Sequence, residues 1–203
     1  MKESVFVVAT NNLNKLSEIR AILKSVGCDC VSLKEAGVDI DVEENGATIM
    51  ENSYIKAKAV FDIVKKPVIA DDTGLFVDAL DGEPGVYTAR YAGDDHDYNK
   101  GVDKLLSKLE SLKKSEDRRA RFLSTATAIL EDGSVVQATG AVEGFIGFER
   151  RGDAGFGYDP VFWLFNNQSL AEISPDKKNA ISHRGRSIRK LVFLLRGIKR
   201  VRG

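Results

Sequence analysis

The sequence predicts an α/β protein, in which helices pack on a sheet with buried strands. A continuous apolar run, VFVVA at residues 5–9, is typical of a strand that is buried on both faces. A turn and a helical pattern follow over residues 10–27. A second helical pattern ends before a second apolar run, VIA at residues 68–70. This succession of strand, turn and helix is how an α/β layer begins.

The first half of the chain contains two helical patterns and one irregular stretch. The first helix ends at Gly27, and its apolar positions are Leu16, Ile19, Leu23 and Val26. Residues 38–46 favour a loop with an edge strand. The second helix ends at residues 65–67, and its apolar positions include Ile49, Ala59, Val60 and Ile63.

The second half contains a helix, a hairpin, another strand and a helical C-terminal part. Residues 97–113 have leucines at helical spacing. Segments 120–130 and 134–146 alternate in polarity around Glu131-Asp132-Gly133, which predicts a β-hairpin. Residues 161–165 form a further apolar run. Ser174 before Pro175 is typical of a helix start, and an apolar helical pattern continues to the C-terminal end.

Composition restricts the classes of function. The chain has 203 residues with 30 basic and 30 acidic side chains, so it has no bulk attraction for nucleic acid polymers or anionic membranes. Cys28 and Cys30 are too close together for a zinc pair and are expected to be reduced thiols. The N-terminal apolar run is too short for a signal peptide, and no run approaches membrane-spanning length. We therefore expect a cytoplasmic protein.

Two adjacent acids, Asp71 and Asp72, follow the VIA run. Successive strand residues face opposite sides, so one carboxylate is expected to face a site while the other holds a neighbouring group. Carboxylates this close repel each other, and a divalent cation such as Mg²⁺ would remove the repulsion. Glu43 and Glu44 could each supply a further oxygen ligand. The alternatives are turn-forming aspartates and glutamates that only favour a helix start.

The turn TNNLNK, at residues 10–15, lies between the first strand and the first helix. A helix N-terminus attracts anions, Thr10 and Asn11 can donate hydrogen bonds, and Lys15 adds a positive charge. An ordinary N-cap with an exposed lysine remains the alternative.

Two further segments carry chemically useful side chains. GFGYDP, at residues 155–160, combines glycines with stacking faces on Phe156 and Tyr158 and an acceptor on Asp159. The stretch at 178–186 is basic and includes Lys178, His183 and Arg184, which can donate to carbonyls and phosphates. A tight turn and a solvated basic face are the respective alternatives. All four segments together fit a nucleoside triphosphate with Mg²⁺.

The motifs resemble a known family. Asn12, Lys15 and Glu18 after a strand, then ADDTG, PGVYTARYAG, GFGYDP and SHRGR, occur in the order found in the non-canonical purine nucleoside triphosphate pyrophosphatases, the Ham1-like inosine/xanthosine triphosphate pyrophosphatases. The resemblance covers residues 5–197. One departure is Thr10-Asn11-Asn12, where the family usually has Thr-Gly-Asn. Because Asn tolerates left-handed backbone angles, the turn is expected to survive.

The resemblance implies a fold, an activity and a set of site residues. The fold is a long, bent mixed sheet flanked by helices, forming one domain over residues 1–203 with two lobes and a substrate cleft between them. The implied activity is Mg²⁺-dependent hydrolysis of inosine, deoxyinosine and xanthosine triphosphates to monophosphate and pyrophosphate by a homodimer that cleanses the nucleotide pool.

By position, Asp72 matches the catalytic acid and a metal ligand, and Glu43 or Glu44 matches the other metal acid. The substrate-binding positions that match are Thr10, Asn11, Asn12, Leu13, Asn14, Lys15, Thr73, Phe156, Gly157, Tyr158, Asp159, Lys178, His183 and Arg184.

Two alternatives stay open on sequence. A related fold could act on modified pyrimidine or 7-methylguanine triphosphates, which a panel of substrates would distinguish. A nucleotide-binding protein without hydrolysis is expected to lack the acid, and Asp72 is present. A nucleic-acid-binding protein is disfavoured by the neutral charge and the lack of a basic stripe.

Overall fold

The computed structural model describes residues 5–93 and 97–202; residues 1–4, 94–96 and 203 of the predicted domain lie outside this range. The described helices are α1 (Leu13–Ser25), α2 (Ile49–Val64), α3 (Tyr98–Lys108), α4 (Pro175–Ile181) and α5 (His183–Arg202). The described strands are β1 (Phe6–Val8), β2 (Cys30–Ser32), β3 (Val68–Val77), β4 (Pro84–Gly85), β5 (Arg119–Ile129), β6 (Val135–Ile146) and β7 (Phe162–Trp163). The predicted α/β class is confirmed.

Within the described ranges, the strands form one seven-stranded mixed sheet. Its order is β2-β1-β3-β5-β6-β7, and β4 pairs with β3. β1 runs parallel to both β2 and β3, whereas β4 and β7 are antiparallel to β3 and β6. The predicted hairpin is confirmed, because β5 and β6 are neighbours and Leu130 N–H donates to the Ser134 carbonyl at its turn.

The chain divides into two compact units. The first contains residues 1–72, 124–140 and 182–203, and the second contains residues 73–123 and 141–181. β3, β5 and β6 each contribute residues to both units. No helix in the described part of the chain is long and apolar enough to cross a membrane.

In the first unit, alternate strand residues supply two separate hydrophobic clusters. Phe6, Val8 and Ile69 pack with residues of α1 and α5. Their neighbours, including Val7 and Ala70, pack with Ala57 and Val60 of α2. Because strand side chains alternate between faces, α1 and α5 cover one face of these strands and α2 covers the other.

The second unit has its own apolar core. Buried residues of α3, including Val102 and Leu105, pack there with Phe122, Val161 and Phe162. α3 begins at the N-cap Asp97, whose side chain accepts from two backbone N–H groups of the first turn. The predicted leucine face of this helix is confirmed, since Leu105 and Leu109 are fully buried.

Four details differ from the sequence prediction. β3 continues to Val77, so Asp71 and Asp72 lie inside a strand and not at its end. Residues 38–46 contain no strand, and β2 supplies the edge of the sheet instead. Ile63 is 56% exposed, because α2 buries a different face. The C-terminal helical part is two helices that meet at Ser182.

Candidate active site

The two adjacent aspartates lie on opposite faces of β3, two and three residues beyond Ile69, where the pairing with β1 ends. The pairing places Val8 of β1 opposite Ile69 of β3, and Ala9 N–H donates to the Ile69 carbonyl. Asp71 shares a face with Ile69, and Asp72 shares the other face with Ala70. Both carboxylates are almost fully buried. Each therefore needs a cation from the helices that pack on its own face.

On the α1 and α5 face, Arg184 is the main partner of Asp71. Its Nε donates to Asp71 Oδ2 at 3.0 Å, and its Nη1 donates to Glu18 Oε2 at 2.5 Å. The ammonium of Lys15 lies 4.0 Å from Asp71 Oδ1. Burial alone would raise the pKa of Asp71, but the charges of Arg184, Lys15 and Lys56 outweigh it and hold that pKa far below its usual range. Asp71 is thus a permanently ionised anchor.

On the α2 face, Lys56 joins two acids. Its ammonium donates to Asp72 Oδ1 at 3.0 Å and to Glu44 Oε1 at 2.9 Å. Burial would lower the pKa of Lys56, yet Asp72, Glu44 and Asp71 raise it above its ordinary value, so the side chain is charged. Of the two glutamates, Glu44 contacts Lys56, whereas Glu43 is exposed to solvent.

The two acids around Lys56 are not equivalent. Burial, together with the nearby Glu44 charge, raises the pKa of Asp72 in spite of Lys56 and Lys15. For Glu44, burial acts in the same direction, but Lys56 outweighs it and lowers the pKa. Pairs of carboxyls with pKa values pushed apart are typical of acid–base sites. Asp72 is the member of this pair that favours holding a proton.

The remaining oxygen of Asp72 is suited to a hard cation. Oδ2 is buried and has no hydrogen-bond partner within residues 5–93 and 97–202. No group of three or more His, Cys, Asp or Glu side chains in those ranges is arranged to hold a metal. Asp72 and Glu44 would offer two carboxylates. Two are enough for Mg²⁺, because this ion keeps several waters and substrate phosphates as its other ligands.

The turn before α1 is an N-cap with additional contacts. Asn12 Oδ1 accepts from the N–H groups of Asn14 and Lys15, both at 3.0 Å. Thr10 Oγ1 accepts from Asn12 N–H at 3.2 Å, and Leu13 is 77% exposed. The N-cap that the alternative predicted is therefore present at Asn12. The exposed lysine that it also predicted is wrong for Lys15. The side chain of Lys15 is only 16% exposed, because it is directed towards Asp71.

Asn11 does not use the left-handed backbone that we expected to preserve this turn. The non-glycine residues with positive φ in the described ranges are Lys65, Asp81 and Asn167. Asn11 is not among them, and its side-chain Nδ2 donates to the Ile40 carbonyl at 2.9 Å.

α5 begins at the SHRGR motif, as the sequence predicts for a helix start. Ser182 Oγ accepts from Gly185 N–H at 3.0 Å, which is an N-cap contact. His183 and Arg184 are therefore the first two residues of the helix, and both are buried. Two carboxylates accept from the Nε and Nη1 of the Arg184 guanidinium, and its predicted role as a donor to substrate stays a prediction.

GFGYDP, in the second unit, holds a charged pair beside an aromatic ring. Asp159 Oδ2 accepts from Phe156 N–H at 2.7 Å and from Lys178 Nζ at 2.5 Å. The Lys178 ammonium lies 4.8 Å from the centre of the Phe156 ring. Gly155 and Gly157 both have positive φ, which the tight turn requires.

Tyr158 does not offer the stacking face that we predicted. Its ring is 2% exposed and packs edge-on against Tyr98, with ring centres 6.0 Å apart. Its hydroxyl donates to the Thr88 carbonyl at 3.2 Å. Tyr158 is a core residue, whereas Phe156 is only partly buried. Thr73 directly follows Asp72 in β3 and is also partly exposed.

Lys56 is the site residue that sequence reasoning missed. The buried face of α2 consists of Ile49, Asn52, Ser53, Lys56, Ala57 and Val60. Ile49, Ser53, Lys56 and Val60 are spaced by four, three and four residues, which is the helical period. The sequence signal for Lys56 was therefore a lysine at a helical position that belongs to the buried face of α2.

The comparisons with known proteins identify a family. The model of the Ham1 family matches residues 6–194. A dITP/XTP pyrophosphatase of Clostridium perfringens is 44% identical over 200 residues, which is 95% of this chain and 98% of the relative. A protein of the same name from Bacillus subtilis is 44% identical over 196 residues, which covers 96% and 98% of the two chains.

A solved structure leads to the same family. The Ham1 protein of Staphylococcus aureus is 38% identical, with a TM-score of 0.82, covering 95% of this chain and 98% of that chain. The fold is α/β, and the candidate site is a cluster of carboxylates and lysine. The chain belongs to the Ham1 family.

Lys56→Met should reduce turnover by about 10²–10³-fold, because it removes a fixed positive charge beside the two acids. The substitution should also raise the pKa of Asp72 further, since Lys56 opposes that rise. Steady-state rates with inosine triphosphate as a function of pH measure both effects.

Lys58→Met is the matched control for that variant. Lys58 is on the same helix but is exposed and pairs with Asp62. Its rate should stay within twofold of the wild-type protein, and equal losses in the two variants would contradict a specific role for Lys56.

Proposed function

We propose that the protein hydrolyses the triphosphates of inosine, deoxyinosine and xanthosine to the monophosphate and pyrophosphate. The observation that carries this proposal is the 44% identity to dITP/XTP pyrophosphatases along nearly the whole of both chains. The arrangement of Asp72, Lys56 and Glu44 supports the same chemistry, because phosphoanhydride hydrolysis needs a proton acceptor and positive charge in one place.

In this proposal, Asp72 orients the attacking water and takes or positions its proton. Lys56 Nζ donates to Asp72 Oδ1, and this contact fixes the orientation of the carboxylate. Asp72 and Glu44 would hold Mg²⁺, which supplies charge neutralisation for the phosphates when bound.

The turn at residues 10–15 is assigned to the triphosphate. Lys15 stabilises negative charge on the departing pyrophosphate, and the N-terminus of α1 contributes its partial positive charge. Burial lowers the pKa of Lys15, although Asp71 opposes the change. A bound phosphate would raise the pKa of Lys15 again, because its negative charge favours the charged form of the lysine.

Base selectivity is assigned to hydrogen-bond donors around the purine 6-position. Since carboxylates hold the Arg184 side chain, we assign the keto oxygen to the backbone N–H groups of His183 and Arg184 at the start of α5. The 6-amino group of adenine would leave these donors without an acceptor. Sites built on such hydrogen bonds discriminate by up to ~10⁴–10⁵. Phe156, Asp159 and Lys178 are assigned to the base as well.

We also propose that the enzyme is a cytoplasmic homodimer that removes non-canonical nucleotides from the nucleotide pool. The family resemblance supports this part, and the substrate cleft implied by the same resemblance stays a prediction.

A panel of six triphosphates with Mg²⁺ tests the substrate class. We expect pyrophosphate release from inosine and xanthosine triphosphates, at a kcat/KM at least 100-fold above that for adenosine, guanosine, cytidine and uridine triphosphates. Activity confined to a pyrimidine triphosphate would overturn the purine assignment, and no release from any of the six would overturn the proposed hydrolysis of inosine and xanthosine triphosphates.

A further inference from the structure

Two asparagine side chains are among the groups that hydrogen-bond to the segment that carries Glu44, together with Glu51, which accepts from Ala47 N–H at 2.7 Å. Residues 38–47 contain neither helix nor strand. Near one end, Asn11 Nδ2 donates to the Ile40 carbonyl at 2.9 Å. Near the other end, Asn52 Oδ1 accepts from Gly46 N–H at 2.8 Å. Glu44 lies between these two anchors, so its position depends on both.

The anchor at Gly46 belongs to the same helix as Lys56. Asn52 is 1% exposed and lies one helical turn before Lys56 on the buried face of α2. A Cβ on Gly46 would lie 2.7 Å from Asn52 Oδ1, so the close contact requires glycine. This anchor fixes the end of the segment to the helix whose lysine contacts Glu44.

The anchor at Ile40 comes from a different part of the site. Asn11 lies in the turn between β1 and α1, three residues after Val8 and four before Lys15. Ile40 is partly buried against the cluster that contains Val7 and Ala70. The Asn11 amide therefore ties the turn assigned to phosphate to the segment that carries an acid.

We propose that Asn11 is a positioning residue, whose side-chain amide sets where the 38–47 segment lies and so places the Glu44 carboxylate beside Lys56 and Asp72. This inference rests on the proposed function, because it makes Asn11 a determinant of how well the two acids hold Mg²⁺. Asn11 acts through Glu44 and does not take part in the chemical step.

The expected weakening of Mg²⁺ binding follows from the single hydrogen bond between Asn11 and the Ile40 carbonyl. Asn11 is exposed, and one hydrogen bond at an exposed site changes an equilibrium by about three- to tenfold. Loss of the amide should therefore loosen the segment and weaken apparent Mg²⁺ binding by that factor.

Asn11→Ala in the full chain tests the proposal with two measurements. In the metal-free protein, backbone amides of residues 38–47 should exchange with deuterium about three- to tenfold faster than in the wild type. In the enzyme assay, the Mg²⁺ concentration for half-maximal rate with inosine triphosphate should rise by a similar factor.

Asn166→Ala is the matched control. Asn166 is also an exposed asparagine, and its amide donates to Gln168 in the second unit. This variant should match the wild type in both measurements. Unchanged exchange in Asn11→Ala would overturn the inference, as would an unchanged Mg²⁺ requirement. Wild-type protein that releases no pyrophosphate would instead overturn the proposed function, and the exchange result would still decide whether Asn11 holds the segment.

Discussion

Asp72→Asn should reduce pyrophosphate release by roughly 10²–10⁴-fold, which is the usual contribution of a general base. The amide has nearly the shape of the carboxylate, and its oxygen still accepts from Lys56. The amide has neither the basicity nor the negative charge that we assign to the Asp72 carboxylate. Steady-state rates with inosine triphosphate at saturating Mg²⁺ measure the loss.

The same variant should remain folded. Burial raises the pKa of Asp72, so the ionised form of this carboxyl opposes folding at neutral pH. A neutral amide removes that cost, and Glu44 still neutralises Lys56. The midpoint of thermal unfolding should therefore be equal to that of the wild type or slightly higher. Near-normal turnover would remove Asp72 from the mechanism, and a large loss of stability would show that it acts mainly in the fold.

Arg184→Met should be the most destabilising single change in the first unit. The arginine is 1% exposed and holds Asp71 and Glu18 at once. Breaking a buried ion pair by removing one partner leaves an uncompensated charge and costs about 3–5 kcal/mol. Urea unfolding of the purified variant measures the loss in free energy of unfolding.

Arg186→Met is the control for this substitution. Arg186 is exposed on the same helix, two residues further on. Its replacement should change the free energy of unfolding by no more than about 0.5 kcal/mol. Similar losses in the two variants would mean that the charge of α5 matters and the buried pair does not.

The pairing also predicts how stability depends on pH. The pKa of Asp71 is lowered in the folded protein, so its contribution is complete above the unfolded value of about 3.9. The contribution is lost progressively as the pH falls below that value. Because Arg184 is the largest source of the lowered pKa, Arg184→Met should lose less stability between pH 5 and pH 3 than the wild type does.

The fold was largely predictable because its patterns are local. The strand at β1, the helix at α1 and the hairpin of β5 and β6 each follow from apolar periodicity or turn residues within one segment. The end of β3 was not predictable in this way. Two charged residues interrupt its apolar run, and helices on both faces supply the cations that pair with Asp71 and Asp72 inside the strand.

The site was predictable in its residue types but not in its pairings. The alternation of strand side chains correctly assigned different environments to Asp71 and Asp72. Their partners Lys56 and Arg184 are 16 and 113 residues away along the chain, and periodicity carries no information about such contacts. Sequence reasoning assigned the neutralising charge to a metal, whereas protein cations contact both aspartates directly.

The products of inosine triphosphate hydrolysis test the central claim most directly. Chromatography of the nucleotide, together with separate assays of phosphate and pyrophosphate, identifies the bond that is broken. Cleavage between the α- and β-phosphates predicts inosine monophosphate and pyrophosphate in equal amounts from the first turnovers. Inosine diphosphate with free phosphate would contradict the assignment of the water to the α-phosphorus and, with it, the role proposed for Asp72.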